Sequence, residues 1–261
     1  MVRDVVLSCV GWSFAVGAWW MASADMVAAE DRSPTQIVDA FVASLQQNDA
    51  IAEDDRQQAL AAIRRLRQDE RTRDSVITEG LRLAYPPFKD ALKALGDERY
   101  PDALRVLDEL ANAEDRFLVA AAMLYRVRAY SMQQRHDEAL GLLQDLAANY
   151  RNDTLQMPEI VYLTAVAEAR LLQREEAIGT LKGFLQQYPE ASRRLRDAAI
   201  AQLEKLQEID FSLLDDVHDK MSFSLRQLTK QDSGPQTQRV QENVVALLTE
   251  LISEIERKGG A

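Results

Sequence analysis

Apolar residues recur at helical spacing along almost the whole chain. From Ser33-Pro34, a cap followed by a first-turn proline, Ile37, Val38, Phe41, Val42 and Leu45 fall on one face, and Asn48-Asp49 closes that helix. Ala59, Leu60, Ile63 and Leu66 predict a second helix over 54–69, antiparallel to the first. Val76, Ile77, Leu81 and Leu83 predict a third over 73–84. Tyr85-Pro86-Pro87 must end it, because a residue before proline is pushed out of helical geometry.

One phrase then occurs three times. Asp102-Ala103-Leu104 is followed by Leu107 and Leu110, Glu138-Ala139-Leu140 by Leu143 and Leu146, and Glu176-Ala177-Ile178 by Leu181 and Phe184. The alanines stand 36 and 38 residues apart, a period that asks for a helical-repeat architecture. The same spacing around Ala59 and Ala199 shows that any amphipathic helix can produce the phrase. The turns before it, the matching opening helices and the near-constant period make it a repeat. Each unit reads as a helix pair: 88–95 with 101–111, 120–132 with 138–148, and 158–172 with 175–187. The alanine in each phrase lets two helices approach closely, and the leucines after it form the seam.

Beyond the repeats, Leu195, Ala199, Leu203 and Leu206 predict a polar-backed helix over 192–209, as a covering for the last seam requires. A further helix spans 215–228, Asp232-Ser233-Gly234-Pro235 forms a hinge, and a long helix follows over 236–258. Val240, Val244, Leu247 and Leu251 on that helix follow coiled-coil spacing, with Val245, Leu248, Ile252 and Ile255 widening the stripe. Three fates are open to it: folding back on the array, pairing with a second copy, or docking on a partner. The chain thus divides into 25–32 (a polar lead-in), 33–84 (N-terminal helices), 85–190 (repeats), 191–229 (capping helices), 230–236 (linker) and 237–258 (C-terminal amphipathic helix). The fold class is all-α.

The repeat block resembles the tetratricopeptide repeat. Ala103, Ala139 and Ala177 match that family's small position in the second helix, and Tyr100 matches the aromatic three residues earlier, where His136 and Arg174 stand in the other units. Tyr130 matches the aromatic of the opening helix and Pro189 the closing proline. The family's tryptophan and Leu-Gly pair are missing, and the units exceed its period of about 34 residues. The resemblance implies a right-handed superhelical array of antiparallel helix pairs whose opening helices line a groove for peptides or partner helices. Carried onto this chain, the groove positions are Leu124, Arg128 and Met132 in the second unit and Tyr162, Val166 and Arg170 in the third, with Phe88 and Leu92 weaker matches in the first. Apolar side chains with two arginines suit an apolar, acidic or C-terminal protein segment.

Composition narrows the function further. A net charge of −11 with no basic stripe argues against nucleic acid. Residues 1–24 have the layout of a secretory signal peptide: Arg3, an apolar run from Val5 to Trp20, then Ala22-Ser23-Ala24. Cleavage is expected after Ala24, with Val27-Ala28-Ala29 as a second site, and an uncleaved membrane anchor is the alternative. Export to the periplasm or cell envelope follows, and cleavage removes Cys9, the only cysteine. His218 lies among Asp215, Asp216 and Asp219, acids that suit a helix start better than a metal, and His136 suits packing in a turn. No phosphate loop, paired-histidine zinc spacing or nucleophile elbow occurs, so no cofactor, metal or catalytic residue is expected. The expected function is a non-enzymatic interaction scaffold of a bacterial cell envelope with a protein or peptide partner. The rivals are an oligomerisation module working through the C-terminal helix and, behind it, a small-ligand binder or enzyme.

Overall fold

In the computed structural model, residues 31–68, 74–207 and 213–259 are described, and they are helical with no strand among them. The expected signal peptide and Cys9 lie outside the described residues. Twelve α-helices follow in order: α1 Pro34–Gln47, α2 Glu53–Leu66, α3 Val76–Ala84, α4 Pro86–Gly96, α5 Tyr100–Leu110, α6 Arg116–Met132, α7 His136–Asn149, α8 Met157–Arg170, α9 Arg174–Gln187, α10 Arg193–Gln207, α11 Leu213–Thr229 and α12 Pro235–Gly259. From α1 to α10 each helix packs on the next, and α12 packs along α11.

Local chemistry explains the boundaries. Ser33 caps α1 in a reciprocal box with Gln36, and Pro34 sits where its missing donor costs nothing. Tyr85 is extended between α3 and α4, as the two following prolines demand. The helix expected from Ala120 begins four residues earlier, at Arg116. There Asp115 accepts hydrogen bonds from the amides of Phe117 at 2.9 Å and Leu118 at 3.3 Å, so the apolar run Phe117–Val119 is helical.

The turns inside the three repeat pairs share one backbone geometry. Glu98, Gln134 and Leu172 all adopt left-handed φ values, of 58°, 58° and 63°. The amide of the next residue then reaches back five residues: Arg99 to the Ala94 carbonyl at 2.8 Å, Arg135 to Tyr130 at 2.9 Å, and Gln173 to Glu168 at 2.9 Å. This is the Schellman closure of a helix, made here without glycine. Gln231 repeats it after α11, with φ 60° and Asp232 bonding to Gln227, but Asp232, Ser233 and Gly234 then delay the start of α12.

Three apolar clusters run along the array, sharing α6 between the first two and α8 between the last two. Ala103, Ala139 and Ala177 are fully buried, as are Leu107, Leu143 and Leu181. Ala59 and Ala199 are equally buried, so burial of the phrase does not by itself distinguish a repeat. A close approach also organises the first helices. A methyl group added at Gly80 of α3 would stand 2.7 Å from Phe41 Cε1 and 3.0 Å from Ile63 Cδ1, so the glycine lets α3 lie close against side chains of α1 and α2.

The N-terminal helices are joined to the repeats by packing and by a polar chain. Phe41 of α1 meets Phe117 of α6 with ring centroids 5.2 Å apart. Asn48 Nδ2 donates to the Tyr85 hydroxyl at 3.0 Å, and that hydroxyl donates to Asp115 Oδ2 at 2.6 Å. Burial, and then the Asp115 carboxylate beside it, push the Tyr85 hydroxyl far above the usual tyrosine range.

Candidate functional site: a cleft beside the third repeat

A cleft of about 1,010 Å³ opens where the start of α1, the α7–α8 loop, the first turns of α8 and the α9–α10 loop converge. The chain folds this way because long-range hydrogen bonds tie these loops to the start of α1 and to residue 74. The Arg32 amide donates to Asn152 Oδ1 at 2.8 Å, Arg151 pairs with Asp31 at 3.0 Å, and Gln156 Nε2 donates to the Asp74 carbonyl at 2.7 Å. A short 3-10 turn, Arg151–Asp153, sets the α7–α8 loop, and the Arg116 guanidinium holds buried Asp153 at 2.7 Å. Leu155, Tyr162, Leu163, Tyr188 and Leu195 supply an apolar lining, while Glu190 and Arg194 bring charge to the same cleft.

The six groove residues carried over from the resemblance do not share one environment. Tyr162 lines the cleft, with its ring 6.3 Å from that of Phe184. Arg128 does not reach the cleft as a free cation. Its guanidinium makes a bidentate pair with Glu159, a lining residue of the cleft, at 2.7 and 2.8 Å, and lies 4.5 Å from the centre of the Tyr125 ring. Burial disfavours that charge, but the Glu159 carboxylate outweighs it and Arg128 titrates above the ordinary arginine range. Leu124 is closed inside the core at 2% exposure, Val166 is half-buried, and Met132 is 68% exposed near the end of α6.

Arg170 belongs to a second locality, where α11 meets the array. Its carbonyl accepts from Arg226 Nη2 at 2.7 Å beside a small cavity of about 60 Å³ between α8, α10 and α11. Arg170, Lys205 and Arg226 gather there at the carbonyl ends of α8 and α10, where the helix dipoles favour cations. Close by, Lys230 Nζ bonds the carboxylates of Asp137 and Glu138 in the first turn of α7. Burial alone would raise Asp137, but hydrogen bonds with Glu138 and Lys230 prevail and hold its carboxyl down at about 2. His136, in the same turn, is 8% exposed. Burial first, and then the cations Arg226, Arg170 and Lys230, push its imidazole down to about 4, so it is neutral at ordinary pH. His218 is exposed on α11, and Asp216 beside it is paired with Lys220.

Sequence reasoning found Tyr162 and missed the rest of the cleft. Its lining residues come from loops and helix starts between Asp31 and Ala198, and no local motif marks such a convergence. Among the described residues no group of three or more acidic, histidine or cysteine side chains is placed to hold a metal ion. None of their helices is long and apolar enough to cross a membrane. Comparison of the chain with protein-family models, with curated proteins and with solved structures finds no match.

Proposed function

We propose that this chain is a tetratricopeptide-like scaffold that binds another protein, and that the cleft beside the third repeat receives an apolar segment of that partner. The carrying observation is the cleft itself, an apolar lining of Leu155, Tyr162, Leu163 and Leu195 wide enough for several side chains and bordered by Arg194. The same left-handed turn with its five-residue hydrogen bond recurs inside all three pairs, which supports the repeat reading. On this reading the pairs continue into a right-handed superhelix, and the protein works in a bacterial cell envelope after export on residues 1–24. Its non-enzymatic character is supported by the company its carboxylates keep: Glu159 is held by Arg128, and Asp31 by Arg151.

The reading is tested by placing a photocrosslinking residue at Tyr162 of the full chain in cells. A matched probe goes at Arg105, which lies exposed on α5 away from the cleft. One discrete adduct at position 162, absent at 105 and lost on adding Leu195→Glu, is the expected result. Adducts of equal pattern at both positions, or none at 162, contradict it.

A further inference from the structure

The stripe on α12 contains two seams, and only one of them is used within the chain. Val240, Val244, Leu247 and Leu251 are the more protected row, Val244 at 9% exposure, on a helix that packs along α11. One residue further along, rotated by about 100°, stand Val245, Leu248, Ile252 and Ile255, which are 65%, 37%, 56% and 61% exposed. Their three-four-three spacing is that of a coiled-coil seam in its own right. On α11, Met221, Leu225 and Leu228 form a second exposed apolar row, on a different face from Asp219, Ser222 and Arg226, which line the cavity against α8 and α10. In an antiparallel hairpin, rows displaced in the same rotational sense from the shared seam emerge on the same side. The two rows therefore form one face.

We infer that this face pairs with the same face of a second copy of the chain, α12 against α12 about a two-fold axis. Two observations select that occupant. The seven exposed side chains present on the order of 700 Å² per chain, close to the roughly 800 Å² per partner of a stable interface and above what monomers usually expose. Helix α12 has 25 residues against 17 in α11, so an antiparallel hairpin leaves its last two turns, with Ile252 and Ile255, beyond the end of α11. A second α12 covers that overhang with a matching length of helix. This surface is separate from the cleft, and either reading can fail without the other.

Sedimentation of the full chain tests it. The expected result is a dimer at micromolar concentration. Leu248→Glu combined with Ile252→Glu should weaken its dissociation constant by roughly a hundredfold or more, since four carboxylates enter one apolar seam. Helix content and the cleft crosslink at position 162 should be unchanged. A second arm, in a Cys9→Ser background, compares a mixture of Leu248→Cys and Ile252→Cys chains with Arg105→Cys chains, and disulfide-linked dimers should form faster from the mixture. A wild-type monomer, in which some other partner must cover the face, overturns the proposal. So does a dimer indifferent to the two glutamates, or one that links through position 105 as fast as through 248 and 252.

Discussion

Replacing Asp115 by alanine disrupts two kinds of interaction at once. Asp115 Oδ1 caps α6 through the amides of Phe117 and Leu118, and such a cap contributes about 1 kcal/mol. Its Oδ2 accepts from the half-buried Tyr85 hydroxyl at 2.6 Å, and leaving that donor without its acceptor costs about 1–3 kcal/mol. Asp115→Ala should therefore destabilise the protein by about 2–4 kcal/mol, while Tyr85→Phe, which spares the cap, should cost about 1–2 kcal/mol. The informative quantity is the coupling. Once Tyr85 is phenylalanine, removing Asp115 forfeits only the cap, so the double variant should be less damaged than the sum by at least about 1 kcal/mol. Urea unfolding followed by helical circular dichroism gives all four corners of that cycle. Additivity within about 0.3 kcal/mol would refute the claim that the Tyr85 hydroxyl is tied to the start of α6 through Asp115.

Three other outcomes follow from the same geometry. Leu143 is fully buried between α7 and its neighbours, so Leu143→Ala should cost about 2–5 kcal/mol in the same unfolding assay, and a loss below 1 kcal/mol would show that this seam is not closed. Gln134→Gly should raise stability by up to about 1 kcal/mol by relieving its left-handed φ, whereas Gln134→Val should lower it; the reverse order would contradict the turn geometry. His136 carries the pH dependence. With its imidazole pushed down from 6.5 to about 4, the unfolded chain binds a proton between those values that the folded chain does not. Stability should fall as pH drops from 6.5 to 4, by at most about 3 kcal/mol, and His136→Phe should flatten that slope. Asp137, held down at about 2, contributes stability that is lost only at lower pH, as it falls from about 3.8 through 2.

Most of the helices were legible because their punctuation is local. Ser33-Pro34, Tyr85-Pro86-Pro87, Pro101 and the Gly234-Pro235 pair each mark a boundary within one or two residues. The turns of the repeat pairs were harder to read: a left-handed Glu98, Gln134 or Leu172 carries no glycine to announce it. The environment of Leu124 escaped for a different reason. Helix α6 buries nine side chains, because α5 and α7 flank it and α3 and α4 also touch it, so an opening-helix position that lines a groove elsewhere is core here. The long stripe on α12 showed that the helix needed partners. It did not show that Val240–Leu251 would be the more protected row while Val245–Ile255 stayed exposed, since both rows satisfy the same periodicity.

Hydrogen–deuterium exchange on the full chain, with and without the partner captured at position 162, tests the central claim most directly. A partner segment in the cleft should slow exchange in 155–163 and 187–195, the loops and helix starts that line it, and leave 245–255 unchanged. Protection confined to 245–255, or none in the two cleft segments, would contradict the account.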